Sequence, residues 1–311
     1  MKGVVIKSTG SWYVVRLENG EQINARIKGK FRMQGIKTTN PVSVGDIVFM
    51  AQEDDGTAVI NEIEDRKNYI IRKSVNLSKR SHIIAANVDQ AILVVTLSQP
   101  QTFTAFIDRF LVSAEAYHIP TIIVFNKIDV YTDEELEELA YLKAVYTQIG
   151  YQCIETSATQ NINIDKVKAI MKGKVSVISG HSGVGKSTLL NTIEPDLTLK
   201  TSEVTEKEKL GKHTTTFAEM FELSFGGYII DTPGIKAFGL IDFDKAELSH
   251  YFIEMRELLS DCQFNNCVHI NEPKCAIKSA IEEHKVAPFR YKNYVSMYED
   301  DEDENYRGLG Y

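Results

Sequence analysis

Residues 180–187, Gly180-His181-Ser182-Gly183-Val184-Gly185-Lys186-Ser187, read G-x-x-x-x-G-K-S, the spacing of a loop that cradles phosphates. The β-branched run Val175–Ser179 leads into it and a helical pattern over 188–191 leads out, which is the strand–loop–helix setting such a loop needs. Glycines at these positions let backbone N–H groups of Gly180, Ser182, Gly183, Val184, Gly185 and Thr188 converge on an anion at the positive end of a helix. Lys186 then reaches the β- and γ-phosphates, and the Ser187 hydroxyl ligates Mg²⁺.

A second constellation selects the base. Asn126-Lys127-Ile128-Asp129 follows the strand-like run Thr121–Phe125 and reads N-K-x-D. The Asp129 carboxylate accepts two hydrogen bonds from guanine N1–H and N2–H₂; adenine offers no such pair and would leave it unsatisfied. The Lys127 stem can lie along the base plane. Ser157-Ala158, at the end of the next strand, matches the element whose backbone N–H contacts guanine O6. Asp231-Thr232-Pro233-Gly234 reads D-x-x-G: Asp231 would hold Mg²⁺ through a water and Gly234 N–H would meet the γ-phosphate. Between the two phosphate motifs lies Gly211-Lys212-His213-Thr214-Thr215-Thr216, in which Thr215 or Thr216 completes the Mg²⁺ shell. These loops occur in an unusual order: the base-reading pair comes first, then the phosphate loop, then D-x-x-G. The chain reads as a circularly permuted nucleotide domain. Such a sheet can still close, because the site lies at strand ends and chain order does not fix its geometry.

Cys262-x4-Cys267-x-His269-x5-Cys275 supplies three sulfurs and a nitrogen, a closed set for structural Zn²⁺. Cys153 lies apart from it and reads as a small core residue. No motif in the sequence assigns a role to His82, His118, His250 or His284, and His181 falls within the phosphate loop.

The elements that must position these residues fall into three blocks. The 311 residues, 43% hydrophobic and 25% charged, suit two or three globular domains. Residues 1–68 read as five short strands split by turns at Asn19-Gly20, Gly45-Asp46 and Asp55-Gly56, a small barrel of the OB type. Residues 69–87 read as a linker that opens the second block, 69–241. There, strand-like runs alternate with helical stretches near 103–118, 133–149 and 165–172, the second opened by a capping box from Thr132 to Glu135; this alternation implies a mostly parallel α/β sheet with helices on both faces. The third block, 242–311, is helical over 246–260, 276–284 and 288–298 and ends in an acidic, mobile tail.

Net charge is −8, yet residues 1–50 carry eight Lys and Arg against three acids, and residues 299–304 are six consecutive acids. The total therefore hides a basic N-terminal block suited to RNA, where Trp12 or Tyr13 can stack on a base while the other faces the core. There is no apolar run of membrane-spanning length and no signal peptide, so the reading is a cytoplasmic monomer.

A permuted GTPase domain behind an OB-like barrel and before a zinc-binding helical domain resembles the ribosome small-subunit-dependent GTPase A family (RsgA, also called YjeQ), over essentially the whole chain. The resemblance implies a GTPase that acts late in small-subunit maturation, is stimulated by that subunit, contacts its rRNA, and uses GTP/GDP, Mg²⁺ and one structural Zn²⁺. It also bears on hydrolysis. Ras-like enzymes place a water-orienting glutamine just after D-x-x-G, where this chain has Ile235. His213 is the nearest candidate by motif, and the resemblance supports it. Two other classes stay open at this point. A P-loop ATP-dependent enzyme is opposed by Asn126 and Asp129 and separable by nucleotide competition. A nucleic-acid-binding module with a vestigial site is opposed by intact Lys186, Ser187 and Asp231.

Overall fold

The computed structural model describes residues 1–27, 41–72, 82–195, 197, 218–231 and 245–299. His213, Thr214, Thr215, Thr216, Gly234 and Ile235 lie outside the described residues, as do Lys28, Lys30, Arg32, Lys37 and the acidic tail beyond Glu299.

Strands β1 (Lys2–Ser8), β2 (Trp12–Leu17), β3 (Gln22–Ile27), β4 (Ile47–Gln52) and β5 (Ala58–Ile63) form the N-terminal barrel. They pair in the order β1-β2-β3-β5-β4, and β4 closes back onto β1; only β3 and β5 run parallel. Alternation drives this closure: Val5, Tyr13, Val15, Ala25, Val48, Met50, Ala58 and Ile60 point inward and form one core. Tyr13 is 2% exposed and its neighbour Trp12 is 43% exposed, so the two aromatics divide between core and surface as their alternation requires.

The segment expected as a linker is a hairpin instead. β6 (Tyr69–Arg72) pairs antiparallel with β7 (His82–Ala86). Ile70, Ile83 and Ala85 are buried, and Val44 bridges to Ala85. The basic stretch between the strands masks the short apolar runs at either end, and burial of those runs decides the conformation.

The nucleotide sheet is built from β8 (Gln90–Val95), β9 (Thr121–Phe125), β10 (Gln152–Glu155), β11 (Val175–Ser179), β12 (Glu219–Glu222) and β13 (Tyr228–Asp231), in the order β10-β9-β8-β11-β13-β12. All neighbours are parallel except β12, which runs antiparallel to β13. Helices α1 (Thr104–Ala116), α2 (Asp133–Ile149), α3 (Ile164–Met171) and α4 (Lys186–Ile193) cover both faces. Leu93, Val95, Ile123 and Phe125 face α1 and α2, while Ile92, Val94, Ile122 and Val124 face α3 and α4. A strand buried on both sides must be apolar throughout, which is why these runs lack alternation. The Thr132 hydroxyl accepts from Glu135 N and the Glu135 carboxylate from Thr132 N, at 3.3 and 2.8 Å, closing the expected capping box.

After residue 244 the chain is helical: α5 (Ile253–Arg256), α6 (Ala276–Glu282) and α7 (Pro288–Glu299), with 3-10 turns at Lys245–Tyr251 and Leu259–Asp261. The single helix expected over 246–260 is thus broken. Phe252 takes an extended conformation and is fully buried, with its ring 5.5 Å from that of Tyr294 and 4.6 Å from the Arg290 guanidinium. Tertiary packing of this ring overrides local helix propensity. Among the described residues no helix is long and apolar enough to cross a membrane.

Candidate nucleotide site and metal cluster

The phosphate loop joins β11 to α4. Gly185 precedes the helix with φ +92°, and a Cβ there would lie 2.5 Å from Asn126 Nδ2; one on Gly180 would lie 2.2 Å from the Val94 carbonyl oxygen. Both positions therefore exclude any side chain, and the loop can press against β8 and the base-reading segment. The first-turn N–H groups of α4 have no partner within the helix. Ser182, Ser187 and Thr188 are exposed at the mouth, while Val184 is buried and anchors the loop. Lys186 Nζ donates to the carbonyls of Gly180 and His181, both at 2.6 Å, so the ammonium lies across the loop. The His181 ring packs against Phe106 of α1, centroids 3.7 Å apart and planes tilted by 35°. Burial, and then the nearby Lys186 charge, hold this imidazole below its ordinary range and so neutral.

Asn126 binds the two motifs together. It is buried, its Nδ2 donates to Val184 O at 2.9 Å, and its Oδ1 accepts from the Thr156 hydroxyl at 3.0 Å. The Tyr131 hydroxyl donates to Asn126 O at 2.6 Å and accepts from Leu97 N at 3.0 Å. Lys127 follows in the left-handed region, φ +65°, with its ammonium on Gln99 O. Asp129, by contrast, is exposed. The Ser157 hydroxyl, with that of Thr159 at 3.2 Å, holds its carboxyl below the usual range, so it is an anion with acceptor capacity at neutral pH. Ser157 and Ala158 are buried directly behind it, and Thr192 of α4 reaches Ala158 O. The Asp129 carboxylate, the Gly180–Ser187 loop and Ser157-Ala158 thus share one rim of the sheet, at the C-terminal ends of its parallel strands, where open α/β sheets take ligands. The backbone of Asp231 ends β13, two strands from β8 on the same rim.

Cys262, Cys267, His269 and Cys275 also converge. Their ligand atoms lie within 4.8 Å of one another, and all three cysteines are free thiols. His269 Nδ1 lies 3.6 Å from Cys262 Sγ and 3.4 Å from Cys275 Sγ. In a tetrahedral zinc site the sulfur–nitrogen edge is about 3.5 Å, from the usual bond lengths, so the donor set and spacing are compatible with zinc. The loop is braced by Glu272, which accepts from the N–H groups of Val268, Ile270 and Asn271, and by the Tyr291 and Tyr294 hydroxyls on the carbonyls of His269 and Val268. Cys153 sits apart, partly buried on β10.

Sequence reasoning missed several of these supports. Thr159 follows Ser157-Ala158 directly and has no motif value of its own. Phe106, Tyr131 and Thr156 act through packing or a single hydroxyl, and only the fold brings them to the site. The largest omission is a buried ion cluster in which Arg290 of α7 bonds Asp108 of α1 and Glu254 of α5.

Comparisons with known proteins agree with this geometry. The RsgA GTPase family model matches residues 63–241, and the RsgA N-terminal domain model matches residues 2–60. The chain is similar to the small ribosomal subunit biogenesis GTPase RsgA of Christiangramia forsetii, 58% identical over 99% of this chain and 98% of that one. The protein of that name from Bacteroides fragilis strain YCH46 is 54% identical, covering 99% of each. Among solved structures, YjeQ from Thermotoga maritima superposes with a TM-score of 0.79 at 38% identity over 96% of both chains. YloQ, a circularly permuted GTPase, superposes with a TM-score of 0.76 at 33% identity over 96% of this chain and 93% of its own.

Proposed function

The chain belongs to the RsgA GTPase family and is a GTP hydrolase, and we propose from this premise that its hydrolysis serves late maturation of the small ribosomal subunit, in the cytoplasm, by a monomer stimulated on that subunit. The name borne by the relatives supports the partner. The observation that carries the site assignment is the ionised, exposed Asp129 carboxylate beside a phosphate loop to which Asn126 is directly bonded.

In this reading Asp129 takes guanine N1–H and N2–H₂, Lys127 lies along the base, and the Ser157-Ala158 backbone meets O6. Gly180, Ser182, Gly183, Val184, Gly185 and Thr188 line the phosphates, and Lys186 exchanges its two carbonyls for phosphate oxygens. Ser187, Thr215 or Thr216, and Asp231 would hold Mg²⁺, which supplies charge neutralisation on the β- and γ-phosphates. Gly234 N–H takes the γ-phosphate. Ile235 cannot orient water, so His213 does. The four ligands Cys262, Cys267, His269 and Cys275 hold one structural Zn²⁺. The barrel, 1–68, contacts rRNA through its cations and Trp12, whose ring lies under the Arg26 guanidinium at 5.8 Å; residues 69–241 are the GTPase domain and 242–311 the zinc-binding domain.

The test is GTP turnover with and without purified small subunits, alongside co-sedimentation. Wild type is accelerated by subunits. His213→Ala still sediments with them but loses the acceleration, whereas removal of residues 1–68 abolishes both binding and acceleration and leaves the basal rate at saturating Mg²⁺ nearly intact. A His213→Ala protein accelerated like wild type removes the histidine from the mechanism, and a truncated protein that still binds and responds removes the barrel from docking.

A further inference from the structure

The barrel and the nucleotide sheet meet at the strand hairpin that carries Asp231. Lys7 of β1, still paired with Val14 of β2, also pairs with Glu219 of β12. Glu219 in turn faces Asp231 across the β12–β13 hairpin. One row of the sheet therefore runs Lys7, Glu219, Asp231, from the barrel to the aspartate of D-x-x-G. Lys7 Nζ reinforces that row, 2.9 and 3.1 Å from the two Glu219 carboxylate oxygens.

The other end of the hairpin carries a second tie. Glu222 and Tyr228 face each other there, and Arg16 of β2 holds both. Its Nη1 is 2.8 Å from the Tyr228 hydroxyl and 2.6 Å from Glu222 Oε2, its Nη2 is 3.0 Å from Glu222 Oε1, and the guanidinium lies 5.5 Å from the Tyr228 ring centroid. A hairpin tied at one point can pivot about it; ties at both ends remove that freedom. The same hairpin pairs through β13 with β11, the strand that delivers the phosphate loop. In the sequence β12 follows the segment that holds Thr215 and Thr216, and β13 ends on Asp231.

We infer that Lys7 and Arg16 are positioning residues for hydrolysis: by clamping the β12–β13 hairpin at both ends, the barrel sets where Asp231 stands relative to Ser187. Neither side chain touches the nucleotide; both act through the hairpin. The inference rests on the assignment of Asp231 and Ser187 to magnesium proposed above.

The experiment is a Mg²⁺ titration of GTP hydrolysis by the full-length chain, with nucleotide affinity measured in parallel in EDTA. Lys7→Ala and Arg16→Ala are each expected to raise the Mg²⁺ concentration for half-maximal rate about two- to fivefold, the range open to partly exposed ion pairs. Affinity without Mg²⁺ stays at the wild-type value, a split that mere loosening of the barrel would not produce. Arg16→Ala combined with Glu222→Ala shifts the midpoint no further than Arg16→Ala alone, and Lys7→Glu combined with Glu219→Lys returns it to wild type. Asp231→Ala is the control. If Asp231→Ala leaves the midpoint unchanged, the magnesium assignment fails and takes the inference with it. If Asp231→Ala shifts it and Lys7→Ala and Arg16→Ala do not, the assignment stands and the inference is wrong; a shift in only one of the two overturns the two-point clamp.

Discussion

Replacing Arg290 by methionine probes what holds the C-terminal helices to the nucleotide domain. The guanidinium is fully buried, with Nη1 2.6 Å from Asp108 Oδ1 and Nε and Nη2 2.7 and 3.0 Å from the two oxygens of Glu254. After the replacement Asp108 keeps the Tyr146 hydroxyl at 2.8 Å and Asn293 Nδ2 at 2.6 Å, so it stays hydrogen-bonded but uncompensated. Glu254 loses both bonds it receives from the guanidinium. Removing one partner of a buried ion pair costs about 3–5 kcal/mol, and the methionine keeps most of the aliphatic volume, so the charge term dominates. A multidomain chain need not unfold in one step, so the readout is amide hydrogen exchange of α7 and of α1. A loss of about 3 kcal/mol speeds exchange through local opening roughly a hundredfold. The pH dependence has a definite sign. Burial already pushes the Asp108 carboxyl up against the opposing Arg290 charge, and loss of that charge pushes it further. A carboxyl whose folded pKa exceeds its unfolded value binds more protons in the folded state, so stability falls as pH rises through that window. The deficit relative to wild type must therefore shrink as pH is lowered from neutrality toward the ordinary carboxylate range. Adding Asp108→Asn and Glu254→Gln should restore most of the protection, since a neutral, hydrogen-bonded cluster carries no unpaired charge. Exchange in Arg290→Met within about threefold of wild type at neutral pH would refute the reasoning, because it would place the variant far below the cost of an unpaired buried charge.

Two further outcomes are expected. Asp129→Asn replaces an acceptor pair by an amide that complements xanthine. It should weaken GTP binding about tenfold or more, the loss of one charged hydrogen bond at minimum, and improve XTP binding; an unchanged GTP-to-XTP preference in nucleotide competition would show that Asp129 does not read the base. Elemental analysis of native protein should find one zinc per chain, and Cys267→Ala with Cys275→Ala should lose it; native protein without zinc, or full retention by the double variant, would remove the assignment.

The chemistry was legible in the sequence wherever one loop holds consecutive residues. Gly180 to Ser187 and Asn126 to Asp129 point to a nucleotide by motif and by the strand that precedes each, the cysteine cluster points to a metal by ligand count and clustering, and the alternation of strands with helices points to a mostly parallel sheet. What stayed illegible depends on residues far apart in the chain. Asp108 and Arg290 are separated by 182 positions, and each alone reads as a surface charge on an amphipathic helix. β12 is four residues with glutamates at both ends, too short and too polar to register as a strand, yet its pairing with β1 and β13 makes it the bridge between barrel and sheet. Phe252 ends a helix for a reason that only Arg290 and Tyr294 supply.

These distant contacts bear on why permutation is tolerated. Reordering places D-x-x-G at the end of the nucleotide domain, where its strand would lead into a fraying terminus unless something downstream returned to the sheet. The ligand atoms of Cys262, Cys267, His269 and Cys275 converge on one another within the C-terminal helices. They give that unit an internal framework. The grip is Arg290 and Asn293 on Asp108, together with Val112 of α1 in the apolar core of the C-terminal helices. The two devices act in series: the cluster shapes the loop between Cys262 and Cys275, the tyrosines 291 and 294 tie that loop to α7, and α7 docks on α1. Since α1 also carries Phe106, packed against His181 of the phosphate loop, the docking point of the C-terminal helices and the phosphate loop share one helix. The barrel's hold on β12 and β13, through Lys7 and Arg16, secures that hairpin from the other side, so the permuted nucleotide domain is gripped by the domains that precede and follow it in the chain.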